Sequence, residues 1–321
     1  MDKPFKTIDE QVAILRSRGL ATDERTAGIL EREGYYSVVT GYKGPFLDRG
    51  AMAESASDVY LPGARFSDLY RLFLFDRALR LTMFGYFAMA EATLKTTCAY
   101  VAASRHADER EFYLKRESYR PEPRYDARVS AFIDDLEKIT HKGRHANRPF
   151  KREYIRHYVM NHDEVPLWVV TNQMMLGQAF KLFDYQDESS RNEIAKTFSR
   201  LYAETHASPK TVSPRRLRLA YDHIKDFRNI CAHDERLYCA RAAPSRDVTF
   251  AAMLDDLELV LTRNAWSRML REVMGLLMGL TNDIDAGCAR QVVAGMGIED
   301  IGRAFMPIAS AGMRGAGTGA R

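Results

Sequence analysis

The stretch FSDLYRLFLFDRALRLTMFGYFAMAEATLKTTCAYVAAS, residues 66–104, decides the fold. It is the longest apolar-periodic segment of the chain, with one glycine, Gly85, and no proline to break it. Leu69, Leu72, Phe73, Leu79, Met83, Phe87 and Leu94 recur mostly at steps of four and seven, the period of a helix and not the two-residue alternation of a strand. One long helix is therefore predicted. Asp76, Arg77, Arg80 and Glu91 interrupt the apolar run, so the segment does not read as a bilayer span. Three of these charges project among the apolar positions. Asp76 and Arg80 are four apart and are expected to satisfy each other, whereas Glu91 has only Lys95 at that spacing.

Outward from this segment the pattern stays helical. Thr7-Ile8-Asp9-Glu10 opens a first helix with Thr7 or Asp9 as cap, and Gly19 ends it. A second runs from about Asp23 to Arg32 and stops at Gly34. Tyr35 to Phe46 is aromatic and reads either as helix or as extended chain, and Asp48 to Ala64 as an exposed loop. Beyond the break at Pro121 and Pro123, Arg128 to His141 reads as helix and Lys142 to Pro149 as a basic loop. Pro166 begins a further helical region. Ser213-Pro214 starts a helix running to about Tyr238, and Val248 to Asp283 reads as the last long one. After Ile308 the chain is Gly, Ala, Ser and Arg with little to bury, which predicts disorder. No alternating strand pattern and no Gly-rich nucleotide fingerprint appears, so the fold class is all-α. The expected organisation is an N-terminal helical region over 1–60, a main helical domain over 61–308 and a disordered tail over 309–321.

Composition narrows the function less. The chain has 321 residues, 46% hydrophobic and 28% charged, with a formal net charge of +4. That supplies a sizeable core and permits an anionic partner without requiring one. Cys98, Cys231, Cys239 and Cys288 lack the close pairing of a zinc site or a disulfide scaffold, which fits a reducing, cytoplasmic setting. The N-terminal MDKPFKTIDEQ has no apolar signal region. A soluble protein with no membrane partner, no metal and no cofactor is expected.

The chemistry concentrates in YDHIKDFRNICAHDERLY, residues 221–238. Leu217, Ala220, Tyr221, Ile224, Phe227 and Cys231 form one apolar stripe. Arg228 falls at the edge of that stripe, where a cation needs an anion: a carboxylate from a neighbouring helix, with Glu91 the candidate, or a phosphate from a ligand. Asn229 and His233 are four apart and share a more polar face with Asp222 and Asp226. Three such residues within six also occur as helix caps or on solvated faces, so their spacing alone does not fix a role.

The segment Phe227-Arg228-Asn229-Ile230-Cys231-Ala232-His233 fits the R-x4-6-H motif of HEPN ribonucleases, with a polar residue after the Arg. Around it, Pro4 to Gln11, Arg18-Gly19-Leu20, Tyr35-Tyr36 with Gly41-Tyr42, Leu74 to Arg80, Ala90 to Lys95, Pro166 to Val169, Leu176-Gly177 and Arg236-Leu237-Tyr238 follow in the order seen in one family. Over roughly residues 3 to 305 the chain resembles the Abi-like (abortive infection, AbiD/AbiF type) family. That resemblance implies a HEPN-type helical bundle and metal-independent endoribonuclease activity. It also implies a role in phage defence, as abortive infection or as the toxin of a toxin–antitoxin pair. A small-RNA or protein antitoxin is the partner this resemblance implies.

For the chemistry, RNA brings its own nucleophile, the 2′-OH, so base, acid and charge stabilisation suffice. His233 is the expected acid or base, Arg228 the phosphate ligand, and Asn229 the group that orients His233 or binds a phosphate oxygen. Glu91, Asp76 and Arg80 are expected in support. One such histidine per chain predicts a homodimer whose two-fold axis supplies the second. Lys142, Arg144, Arg148, Lys151 and Arg152, and Arg215, Arg216 and Arg218 ahead of the motif, read either as solvated loop or as RNA backbone contacts. His157 and His162 are five apart with no third ligand in register, which argues against a metal site. Tyr35, Tyr36 and Tyr42 read as core or interface aromatics. The competing reading is a non-catalytic component that binds a cognate small RNA or a partner.

Overall fold

A computed structural model describes residues 4–55, 57–242 and 247–299. Its helices are α1 (Ile8–Ser17), α2 (Thr26–Glu33), α3 (Arg49–Ala53), α4 (Phe66–Arg105), α5 (Asp126–Thr140), α6 (Glu153–Asn161) and α7 (Leu167–Gln173). There follow α8 (Leu176–Asp184), α9 (Glu188–Thr205), α10 (Pro214–Ala232), α11 (Phe250–Glu258), α12 (Arg263–Asp283) and α13 (Ala286–Gly295). Among the described residues β-pairing is limited to three isolated bridges, so the fold is all-α. The proposed tail at 309–321 lies outside them.

The chain divides into two compact units. The first comprises Met1–Phe84, Asn229–Ala252 and Ser267–Arg321, and the second Gly85–Arg228 and Met253–Trp266. In the first unit Thr7 caps α1 in a reciprocal capping box with Glu10, and Gly34, at φ 83°, ends α2. Leu15, Leu69, Leu72, Leu79, Met83, Met269, Val273 and Leu277 are fully buried and form its core. In the second, Phe87, Leu94 and Cys98 of α4 and Leu217, Tyr221, Ile224 and Phe227 of α10 are equally buried. The Tyr221 hydroxyl donates to Ala90 O at 2.8 Å, so the aromatic stripe of α10 is fixed on α4 by a polar pin as well as by packing.

Several local expectations are corrected. The last long helix is interrupted: Leu259, Val260 and Leu261 bury their side chains out of helix, and the Thr262 hydroxyl accepts from Ala265 N to start α12. The motif helix ends at Ala232, six residues before Tyr238. Residues 36–40 form a π-helical turn, and Tyr36 projects into solvent while Tyr42 is buried. The loop after Asp48 contains α3, and its Tyr60 is a core residue bridged to Leu47. The four cysteines are free thiols. Among the described residues no helix is long and apolar enough to cross a membrane.

One acid-sensitive contact follows from the packing of α2 on α4. Arg77 donates to Glu33 at 2.7 Å and holds its carboxyl well below the usual range, at about 2. A depressed carboxylate contributes stability that is present above its unfolded value and lost as pH falls through the folded one. Glu33→Gln is therefore expected to flatten the stability-against-pH curve between about pH 4.5 and 2, lowering stability at neutrality and changing little below about pH 2. Urea titrations at a series of pH values check this; an unchanged acid limb contradicts it.

Candidate functional site at the end of α10

Arg228 belongs to the second unit. Its guanidinium is half-buried, with Nη2 at 3.9 Å from Glu91 Oε2. That separation is an ion pair too long to be a hydrogen bond. Glu91 is held more tightly by Lys95, at 2.6 Å one turn along α4. The carboxylate expected to meet Arg228 across the helix interface is thus in place, and it is shared. Such a contact positions the guanidinium without committing an N–H donor to Glu91.

Asn229 and His233 belong to the first unit, and both are exposed. The His233 N–H donates to Asn229 O at 3.0 Å, so the imidazole and the amide emerge one turn apart on one face. The chain then turns sharply. Glu235 N donates to Ile230 O at 3.0 Å and Asp234 N to Cys231 O at 3.4 Å, with Asp234 at φ 56°. This is a Schellman ending with aspartate in the left-handed position usually given to glycine. It satisfies the terminal carbonyls and makes His233 the last residue of the helical path.

What fixes this end in place is Asp76. Its side chain is wholly buried and accepts from Tyr42 Oη at 2.7 Å, Arg80 at 2.6 Å, Leu237 N at 3.1 Å and Tyr238 N at 2.7 Å. Burial pushes the carboxyl up, and these four donors pull it back toward the ionised form. Arg80 carries the network onward to Asp234. Tyr42 in turn stacks on Tyr238, with ring centroids 6.1 Å apart. Asp76 and Arg80 do pair, as their spacing indicates, but they also bond the chain beyond the motif, at Asp234, Leu237 and Tyr238, more than 150 residues away in sequence. Burial pushes the Cys231 thiol beside them up to about 12.

The other cations are less uniform than their sequence suggested. Lys142 pairs with Glu111 at 3.0 Å and Arg144 with Asp134 at 2.6 Å. Arg216 is drawn to Asp256 and Arg218 to Asp184, at 2.5 and 2.9 Å. Arg148, Lys151, Arg152 and Arg215 are exposed. His157 and His162 approach each other at 3.3 Å, and no group of three or more metal-ligating side chains occurs among the described residues.

A helix terminus carrying R-x4-H, braced on a second long helix, is the arrangement within which the comparisons fall. The family model described as Abi-like protein matches residues 28–239, which include α4 and the whole of α10, and the chain belongs to that family. The match is narrower than the span of the resemblance and leaves out Pro4 to Gln11 and Arg18-Gly19-Leu20. Membership suggests a part in abortive infection, a form of phage defence. Searches of curated proteins and of solved structures gave no match.

Proposed function

We propose that this protein is a metal-independent endoribonuclease of HEPN type, acting as a toxin in phage defence. The reading is carried by the end of α10. An imidazole and an amide stand in solvent one turn apart, and a guanidinium lies one residue before them on a neighbouring line of the helix. RNA supplies the attacking 2′-OH. Arg228 binds the scissile phosphate and stabilises the charge that grows on it. His233 moves the proton, since an imidazole serves as either general acid or general base. Asn229 binds a phosphate oxygen or orients the imidazole.

The helix also argues for a second copy. Five residues at about 100° each place Arg228 and His233 about 140° apart around α10, so one helix does not aim both at one phosphorus. A two-fold dimer with two α10 ends side by side sets the Arg228 of one protomer facing the His233 of its partner and provides an imidazole on each side of the phosphate. Arg148, Lys151, Arg152 and Arg215 supply exposed charge for the RNA backbone, which would make binding salt-sensitive.

Labelled RNA incubated with the protein in EDTA is expected to be cut. Arg228→Ala and His233→Ala are each expected to cut RNA at least about 10²-fold more slowly than the parent. A parent protein that binds RNA without cutting it supports the non-catalytic binding component instead. Full specific activity from a monomer at high dilution removes the composite site.

A further inference from the structure

Asp234 is an unexpected residue for its place. The left-handed backbone at φ 56° suits glycine, which forms a Schellman ending without a Cβ to strain it. Here the position carries a side chain that is 71% exposed, yet its carboxylate reaches back to Arg80, whose own side chain is 5% exposed. Arg80 already has an anion in Asp76 and a further contact with Tyr42 Oη at 3.0 Å. Neutralising the buried guanidinium therefore does not require Asp234, and forming the turn does not require a carboxylate. What the pair adds is a tether between the residue after His233 and a rigid point in the middle of α4.

We propose that Asp234 is a positioning residue for His233. Its carboxylate latches the end of α10 to Arg80 and so fixes the direction in which the imidazole leaves the helix. The exposed side of the latch is open to water and salt, and the buried side is held by the Asp76–Tyr42 network, so the tether restrains His233 while leaving its ring accessible. The catalytic role of His233 comes from the reading above, and this inference rests on it; the tether itself does not.

Asp234→Gly separates the latch from the turn. Glycine keeps the left-handed backbone and removes the carboxylate, so the thermal midpoint should move little. The kcat for RNA cleavage should fall about 10²-fold, the scale of a small misplacement of a reacting group, with KM changed less than about twofold. Asp234→Asn, which also tolerates this backbone, should behave alike and serves if the glycine variant folds poorly. NMR of the His233 ring gives a second readout: a restrained ring in the parent should become mobile in both variants. Unchanged kcat and unchanged ring mobility in a folded variant overturn the latch, whatever the parent does. A parent that never cuts RNA, but whose His233 ring is released by Asp234→Gly, keeps the latch and overturns the ribonuclease reading.

Discussion

His233→Ala is expected to abolish RNA cleavage and leave the unfolding curve where it was. The side chain is exposed, and the contact that closes the last turn of α10 is the backbone N–H of His233 on Asn229 O, which alanine keeps. The stability change should stay within about 0.5 kcal/mol, as for other surface replacements. Losing a proton-transferring imidazole typically costs about 10²–10⁴ in rate. RNA affinity should hardly move, because His233 acts on the proton and not on the bulk of the backbone. Arg228→Ala should differ in kind. Glu91 retains Lys95 at 2.6 Å, so the fold survives, but both binding and cleavage weaken, the latter by about 10²–10³. Filter binding and single-turnover cleavage on the two variants separate these roles; equal loss of binding in both would contradict the division.

Asp76→Ala carries the largest expected loss of stability. The carboxylate is the common acceptor for Tyr42, Arg80, Leu237 N and Tyr238 N, and it is fully buried. Removing it leaves Arg80 with Asp234 and the Tyr42 hydroxyl, and two backbone amides without their acceptor. Breaking a buried ion pair from one side costs about 3–5 kcal/mol, and each abandoned buried donor adds about 1–3 kcal/mol. Against a total stability of about 5–15 kcal/mol, such a loss is enough to unfold the first unit or leave it marginal. Asp76→Asn should recover only part, because its amide nitrogen is a donor facing donors. Denaturant titration measures both; a midpoint for Asp76→Ala within about 1 kcal/mol of the parent contradicts the network.

The sequence made some of this legible and hid the rest for identifiable reasons. The helices α4 and α10 were readable because their buried positions repeat at helical spacing over many turns, and the Asp76–Arg80 pair because i,i+4 contacts are local. Glu91 is legible as a candidate anion for Arg228, since a cation at a core edge needs one. The end of α10 is not marked in the sequence because the usual stop signal, a glycine, is absent; Asp234 does the same work and tolerates the same backbone. The break between α11 and α12 is hidden in the sequence because Leu259-Val260-Leu261 is as apolar as a helix core. The bonds from Asp76 to Leu237 and Tyr238 and from Arg80 to Asp234 were invisible in principle, as they join positions far apart through tertiary packing alone. The divergence of Arg228 and His233 around α10 was implicit in their five-residue spacing.

The chemistry of the RNA ends tests the central claim most directly. Cleavage by 2′-OH attack, with protein side chains alone as acid, base and phosphate ligand, leaves a 2′,3′-cyclic phosphate and a 5′-hydroxyl. RNA cut by the purified protein in EDTA should carry those ends, and none should form with His233→Ala. Products bearing a 3′-hydroxyl and a 5′-phosphate, or cleavage that stops when metal is chelated, would contradict the account.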